Sequence, residues 1–162
     1  MIVDFPDIQT LLPHRGQLAL LSRVLRFAPP QMEVEAVVAE DGIFGEEGTE
    51  PWGAMPSWIG IELMAQGAAA YIGLLARMEG RAPPEAGYLL GTRKFTASVN
   101  TFPARAVLRV QTEVIYRDDS GLGSFACKIL QQEAVLAEAT INVYEPPAEQ
   151  IKKAKTIKQQ AN

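Results

Sequence analysis

Met55-Pro-Ser-Trp-Ile-Gly-Ile-Glu62-Leu-Met-Ala-Gln66-Gly-Ala-Ala-Ala-Tyr-Ile-Gly-Leu-Leu-Ala76 is the most apolar stretch of this 162-residue chain. Proline is well tolerated as a first helical residue, so a helix starts near Pro56. It ends by Gly80, because Pro83-Pro84 cannot continue it. Its residues are apolar nearly all round, the pattern of a buried central helix and not of a surface one. Gly60, Ala65, Gly67, Ala68, Ala69, Ala70 and Gly73 let other backbones approach closely, as a sheet wrapped around the helix requires. Glu62 is the lone carboxylate of the stretch. An ionised glutamate is almost never fully buried without a partner, and desolvation favours the protonated form. A buried acid of that kind is what general acid–base catalysis uses. The alternative is a Glu62 that faces solvent or pairs with a buried donor. The stretch is long enough to span a bilayer, but Glu62 and Gln66 near its middle and the strand-like sequence after it argue against insertion.

Outward from the helix, the chain reads as strands. Leu18–Phe27 is the first, turned by Ala28-Pro-Pro30. In Gln31–Ala39, Met32, Val34, Ala36 and Val38 alternate with Gln31, Glu33 and Glu35, a half-buried strand. Residues 40–54 are acidic and rich in Gly and Pro, an irregular loop, and residues 7–12 suit a short helix before Pro13. After the central helix come Gly87–Val99, Val107–Arg117, Gly123–Leu130 and Val135–Tyr144, an antiparallel meander with a hairpin loop at Asp118-Asp-Ser-Gly121. The expected fold is α+β: an antiparallel sheet of about six strands around one long helix. Residues 1–145 form a single domain, and the charged segment 146–162, with Lys152-Lys-Ala-Lys-Thr-Ile-Lys158, is expected to be a disordered tail.

Composition narrows the function. With 48% hydrophobic and 21% charged residues, the chain suits one globular domain. A net charge of −4 argues against a general nucleic-acid binder. Cys127 is the single cysteine, which excludes an internal disulfide and a cysteine-based zinc site; alternating apolar neighbours mark it as a buried structural thiol. The N-terminus has neither a basic nor an apolar leader region, so a cytoplasmic location is expected.

Two motifs carry a resemblance to the hotdog-fold 3-hydroxyacyl-[acyl-carrier-protein] dehydratases. Leu12-Pro-His-Arg-Gly16 followed by Leu20-Leu-Ser-Arg-Val24 resembles the family's opening segment and first strand. Met55-Pro, Glu62 and Ala65-Gln66 match the start of its central helix, a pattern of Met-Pro-Gly, four residues, Glu, two residues and Ala-Gln. Gly91-Thr-Arg-Lys-Phe95, with a turn at Pro103, resembles the segment that pairs across the active site. The similarity covers about residues 8–144. It implies the hotdog fold, a dimer with sites at the subunit interface, and no cofactor or metal. It places Glu62 on the catalytic acid.

One departure stands out. The family carries a Gly-His-Phe-Pro-Gly loop before the helix, whose histidine removes the substrate's α-proton. Here the loop reads Glu47-Gly-Thr-Glu-Pro-Trp-Gly53, and His14 is the chain's only histidine. The pattern is closer to a divergent branch associated with aryl polyene biosynthesis, whose members pair with a second hotdog subunit. His14 has two readings: the replacement base, or the non-catalytic histidine that the family keeps in this motif. Glu47 and Glu50 are alternative bases, and a base supplied by a partner subunit is a third solution. Backbone N–H groups around Pro56–Trp58 are candidate oxyanion donors. Trp52, Trp58, Leu89 and Leu90 would line an acyl tunnel, with Met55, Ser57, Gln66 and Gly91 also at the substrate. Arg77, Arg81, Arg93 and Lys94 would dock the acidic acyl carrier protein. Dehydration of a carrier-bound 3-hydroxyacyl thioester is the leading expectation. A thioesterase and a non-catalytic partner subunit are the alternatives.

Overall fold

Alternation between apolar and polar side chains builds one sheet with a buried and a wet face. The computed structural model of the chain describes residues 3–14, 16–40 and 53–161. Its strands are β1 (Arg23–Ala28), β2 (Gln31–Val37), β3 (Met55–Pro56), β4 (Tyr88–Ala97), β5 (Thr101–Phe102), β6 (Val107–Arg117), β7 (Leu122–Gln131) and β8 (Ala134–Tyr144), and its helices are α1 (Gly60–Met78) and α2 (Ala148–Gln160). Single 3-10 turns cover Ile8–Thr10, Gly16–Leu18 and Ser57–Ile59.

Six strands pair antiparallel in the order β1-β2-β6-β7-β8-β4. Only β6, β7 and β8 form a meander. The strand after the helix, β4, does not join β6 as expected; it crosses to the far edge and pairs with β8. The place beside β6 is taken by β2, whose register sets Met32 opposite Thr112, Val34 opposite Val110 and Ala36 opposite Leu108. A one-residue slip would turn that whole set away from the core, so the apolar pattern fixes the register. These residues, with Phe125, Cys127, Ile129, Ala139 and Ile141, bury against α1. The first strand also starts later than expected, at Arg23. Leu18 and Leu20 spend their backbone groups on the Gln66 side chain instead of a neighbouring strand.

The helix ends are set locally. Met55 and Pro56 pair with Phe102 and Thr101, and the Ser57 N–H donates to Asn100 O at 2.9 Å. The start near Pro56 is therefore a strand and a 3-10 turn before α1 begins at Gly60. At the other end Gly80 adopts φ 74°. The Arg81 N–H reaches Ala76 O at 2.8 Å and the Gly80 N–H reaches Arg77 O at 3.1 Å, a Schellman stop. The helix is long and apolar enough to cross a membrane by length and composition, but 72% of its most apolar window is buried inside the fold.

The expectation of a disordered tail is corrected. Residues Ala148–Gln160 form α2. Pro147 stands before its first turn, Glu149 lies in the first turn and Lys158 in the last, which suits the helix dipole. Ala, Gln, Glu and Lys are good helix formers. Two contacts tie the helix down: Tyr144 OH with Gln150 Oε1 at 2.9 Å, and Lys155 Nζ with Glu85 Oε2 at 2.6 Å.

The N-terminal segment closes the core, with Ile8, Leu11 and Leu12 buried. It lies so close to α1 that a Cβ on Gly73 would sit 2.4 Å from the Leu11 carbonyl oxygen. Ala is favoured over Gly inside a helix by about 1 kcal/mol, yet this clash is with backbone and cannot be relieved by a rotamer. Gly73→Ala is therefore expected to destabilise by about 1–3 kcal/mol, as overpacking does, with Tm lower by about 2–4 °C per kcal/mol. Gly87→Ala, where a Cβ meets nothing within 4 Å, should stay near wild type.

Candidate active site

Because α1 is apolar almost all round, its sequence cannot say which stripe is left uncovered. The structure leaves Glu62, Ala65 and Ala69 half-buried, one helical face at i, i+3 and i+7. A cleft of about 110 Å³ runs along that face. Leu11, Pro13 and His14 form one wall, and Tyr88, Leu89, Val143, Tyr144 and Glu145 the other.

Two clamps hold the N-terminal wall in place. One is the Leu11–Gly73 backbone approach. The other is the fully buried Gln66, whose Oε1 accepts the Leu20 N–H at 2.9 Å and whose Nε2 donates to Leu18 O at 2.7 Å. The segment between the clamps runs antiparallel to α1 and sets His14 against Glu62. His14 Nε2 lies 3.1 Å from Glu62 Oε1. The same carboxylate oxygen accepts from Gln66 Nε2 at 3.0 Å. Gln66, expected at the substrate, instead positions Glu62 and the histidine segment together.

Several expectations need correction. Glu62 is not sealed in the core: its side chain is 39% exposed, and that of His14 27%. Trp58, expected to line an acyl tunnel, is 62% exposed. Pro56 has no N–H and the Ser57 N–H is taken by Asn100 O, so of the proposed oxyanion donors only that of Trp58 remains a candidate. Among the described residues, Leu89 lines the cleft, while Met55, Ser57, Trp58, Leu90 and Gly91 do not. Met55 is buried in the pairing with Phe102. Trp52, Glu47 and Glu50 lie outside the described residues. The four docking cations do not converge. Arg77 donates to Thr10 Oγ1 and Arg81 pairs with Glu79, both at the end of α1. Arg93 is exposed on β4, and Lys94 lines a polar trough with Arg26 and Lys128 on the sheet face turned away from the helix.

Glu145 was missed in the sequence, where it reads as the last residue of the domain, next to the charged tail. It lines the cleft, and its side chain is 22% exposed, 3.5 Å from Arg117. Burial raises its carboxyl above the usual range, while the charges of Arg117 and Arg81 pull the other way. Ala65, Ala69 and Ile72 were read only as packing residues; their spacing from Glu62 was the available signal for a groove floor.

The family model ApeP-like (ApeP dehydratase) matches residues 6–156. The fold superposes on a chain of the dehydratase heterocomplex ApeI:P from Xenorhabdus doucetiae with TM-score 0.83 and 26% identity, over 93% of this chain and 98% of that one. More distant matches share the fold alone. The uncharacterized protein PH1136 from Pyrococcus horikoshii gives TM-score 0.56 at 13% identity, over 78% of this chain and 83% of that one. A putative thioesterase from Shewanella oneidensis gives 0.56 at 10% identity over the same shares. Among curated proteins there is no match.

The Gln66 clamp makes a stability prediction. Gln66→Leu keeps the volume but strands the Leu20 N–H and the Leu18 carbonyl. Each buried group left unpaired costs about 1–3 kcal/mol, less where water reaches it. Denaturant unfolding should show a loss of about 1–3 kcal/mol. An unchanged midpoint would mean that the N-terminal wall is held by its apolar contacts alone.

Proposed function

Since this chain belongs to the ApeP-like dehydratase family, we propose that it removes water from a 3-hydroxyacyl thioester carried on acyl carrier protein. In this reading it works in aryl-polyene-type or fatty-acid-like chain building, as one subunit of a complex with a second hotdog chain. The observation that carries the reading is the His14–Glu62 pair, 3.1 Å apart at the edge of an apolar cleft.

Dehydration needs a base at the α-carbon and an acid at the hydroxyl of the adjacent carbon. An imidazole nitrogen and a carboxyl oxygen 3.1 Å apart suit groups on adjacent carbons. The reaction requires the proton on the Glu62 carboxyl and the lone pair on His14 Nε2. That nitrogen takes the α-proton, and the C–H electron pair becomes the new C=C bond. The C–O bond breaks, and the Glu62 proton leaves with the hydroxyl as water. The products are an imidazolium and a carboxylate in contact, and one proton transfer between them restores the starting pair. Gln66 holds the carboxylate in place through the cycle. The Trp58 N–H is the candidate donor to the thioester oxygen as enolate charge develops.

Two features support a partner subunit. A cleft of about 110 Å³ is small beside the roughly 300–1,000 Å³ of ordinary ligand pockets. Beside it, β4 pairs on one side only among the described residues and exposes Tyr88, Leu89 and Leu90. A long exposed edge with apolar side chains is a surface for strand pairing. A second hotdog chain laid there would enlarge the cleft and cover the Glu62–His14 pair from water, which strengthens its electrostatics. The ApeI:P heterocomplex, which contains this chain's structural counterpart, supports that arrangement.

Turnover should be measured with and without the partner, on a 3-hydroxyacyl carrier thioester and on the same thioester lacking the hydroxyl. The expected result is an unsaturated product from the first substrate and no free thiol from the second. Glu62→Gln should slow dehydration by at least about a hundredfold. Thiol release from the second substrate would make the protein a thioesterase. Full activity in Glu62→Gln would make it a non-catalytic subunit.

A further inference from the structure

The C-terminal helix α2 is strongly basic on a chain whose net charge is −4. Its 13 residues carry Lys152, Lys153, Lys155 and Lys158 against the single acid Glu149. Lys155 is committed to Glu85. Its hydrogen bond and then its charge, with a smaller contribution from Lys152, hold the Glu85 carboxyl below the usual range. Lys152, Lys153 and Lys158 are exposed and, among the described residues, form no ion pair.

The position of this helix is as telling as its charge. Tyr144, which bonds Gln150, lines the cleft, and Glu85, which holds Lys155, stands between the cleft residues Pro84 and Ala86. The helix is thus pinned at two points of the cleft's rim. Resting on the dehydratase reading above, we propose that α2 is the surface on which the acidic acyl carrier protein docks to deliver its thioester into the cleft. The exposed lysines meet the carrier's carboxylates, and the Glu85 and Tyr144 contacts fix the helix relative to the Glu62–His14 pair. Arg77 and Arg81 already have partners in the chain, and Lys94 lies on the opposite face of the sheet, so none of them offers a comparable patch.

A lipid surface fits less well. Membrane-surface helices lay a broad face of Trp, Phe or Leu into the bilayer. Here Ile151 is half-buried, and Ile157 is the only large apolar side chain of α2 left exposed. Exposed lysines without an apolar face suit a hydrated acidic protein, with the steering and salt dependence that such contacts carry.

The test uses the full chain together with its hotdog partner. A 3-hydroxyacyl carrier protein is titrated against wild type, against the triple variant Lys152→Glu/Lys153→Glu/Lys158→Glu, and against the corresponding Gln triple. Turnover of a 3-hydroxyacyl pantetheine thioester, which has no carrier, is followed in parallel. The proposal expects carrier binding at least about tenfold weaker in the Glu triple, intermediate in the Gln triple, and less sensitive to salt in both. Turnover of the small thioester should stay unchanged. Equal carrier binding in all three proteins would overturn it. So would an equal loss of turnover on the small thioester, which would make α2 a structural element, or lysine-dependent binding to anionic vesicles with none to the carrier. Should wild type fail to dehydrate either thioester, the dehydratase reading falls while the titration still decides the docking surface.

Discussion

A helix that is apolar on almost every side has to be covered on almost every side, and the rest of the fold answers that requirement. The sheet covers most of α1 with Met32, Val34, Val110, Phe125 and Ile141. The N-terminal segment covers another part, close enough that Gly73 has no room for a side chain. One stripe remains, through Glu62, Ala65 and Ala69, which the described residues leave open. The cleft is what the described residues leave along the central helix.

The uncovered stripe is also where the polar groups converge. Gln66 is fully buried, yet it uses both ends of its amide to hold the N-terminal wall and the carboxylate of Glu62. That choice sets the distance between His14 and Glu62. A histidine supplied by the N-terminal motif thus stands beside the helix acid in a chain whose loop before the helix has none. The structure joins two residues 48 positions apart through one buried amide, the same amide that takes up the backbone groups of Leu18 and Leu20.

Much of this was legible in the sequence. The helix followed from the length and apolar character of its stretch, its end from Gly80, and the strands from alternation. Glu62 and His14 were named from their motifs. What could not be read was decided by three-dimensional competition. Strand alternation says that β4 exists but not that it crosses to the edge beside β8, because pairing partners are chosen by register and by what the helix leaves free. A helix apolar all round gives no periodicity from which to find its open stripe, so the sequence left open whether Glu62 is buried or faces solvent. The tail was read from its charge, although its Ala, Gln and Lys content favours a helix once Glu85 and Tyr144 can hold it.

The central claim is that Glu62 and His14 act as one acid–base unit. A double-mutant cycle on the dehydration rate of the partnered protein tests it most directly, comparing Glu62→Gln, His14→Ala and the double variant. Residues that act together are strongly non-additive. The account predicts that each single change removes most of the activity and that the double variant is no slower than the slower single. A His14→Ala variant with wild-type rate, or losses that simply multiply, would contradict it and assign the base to another group.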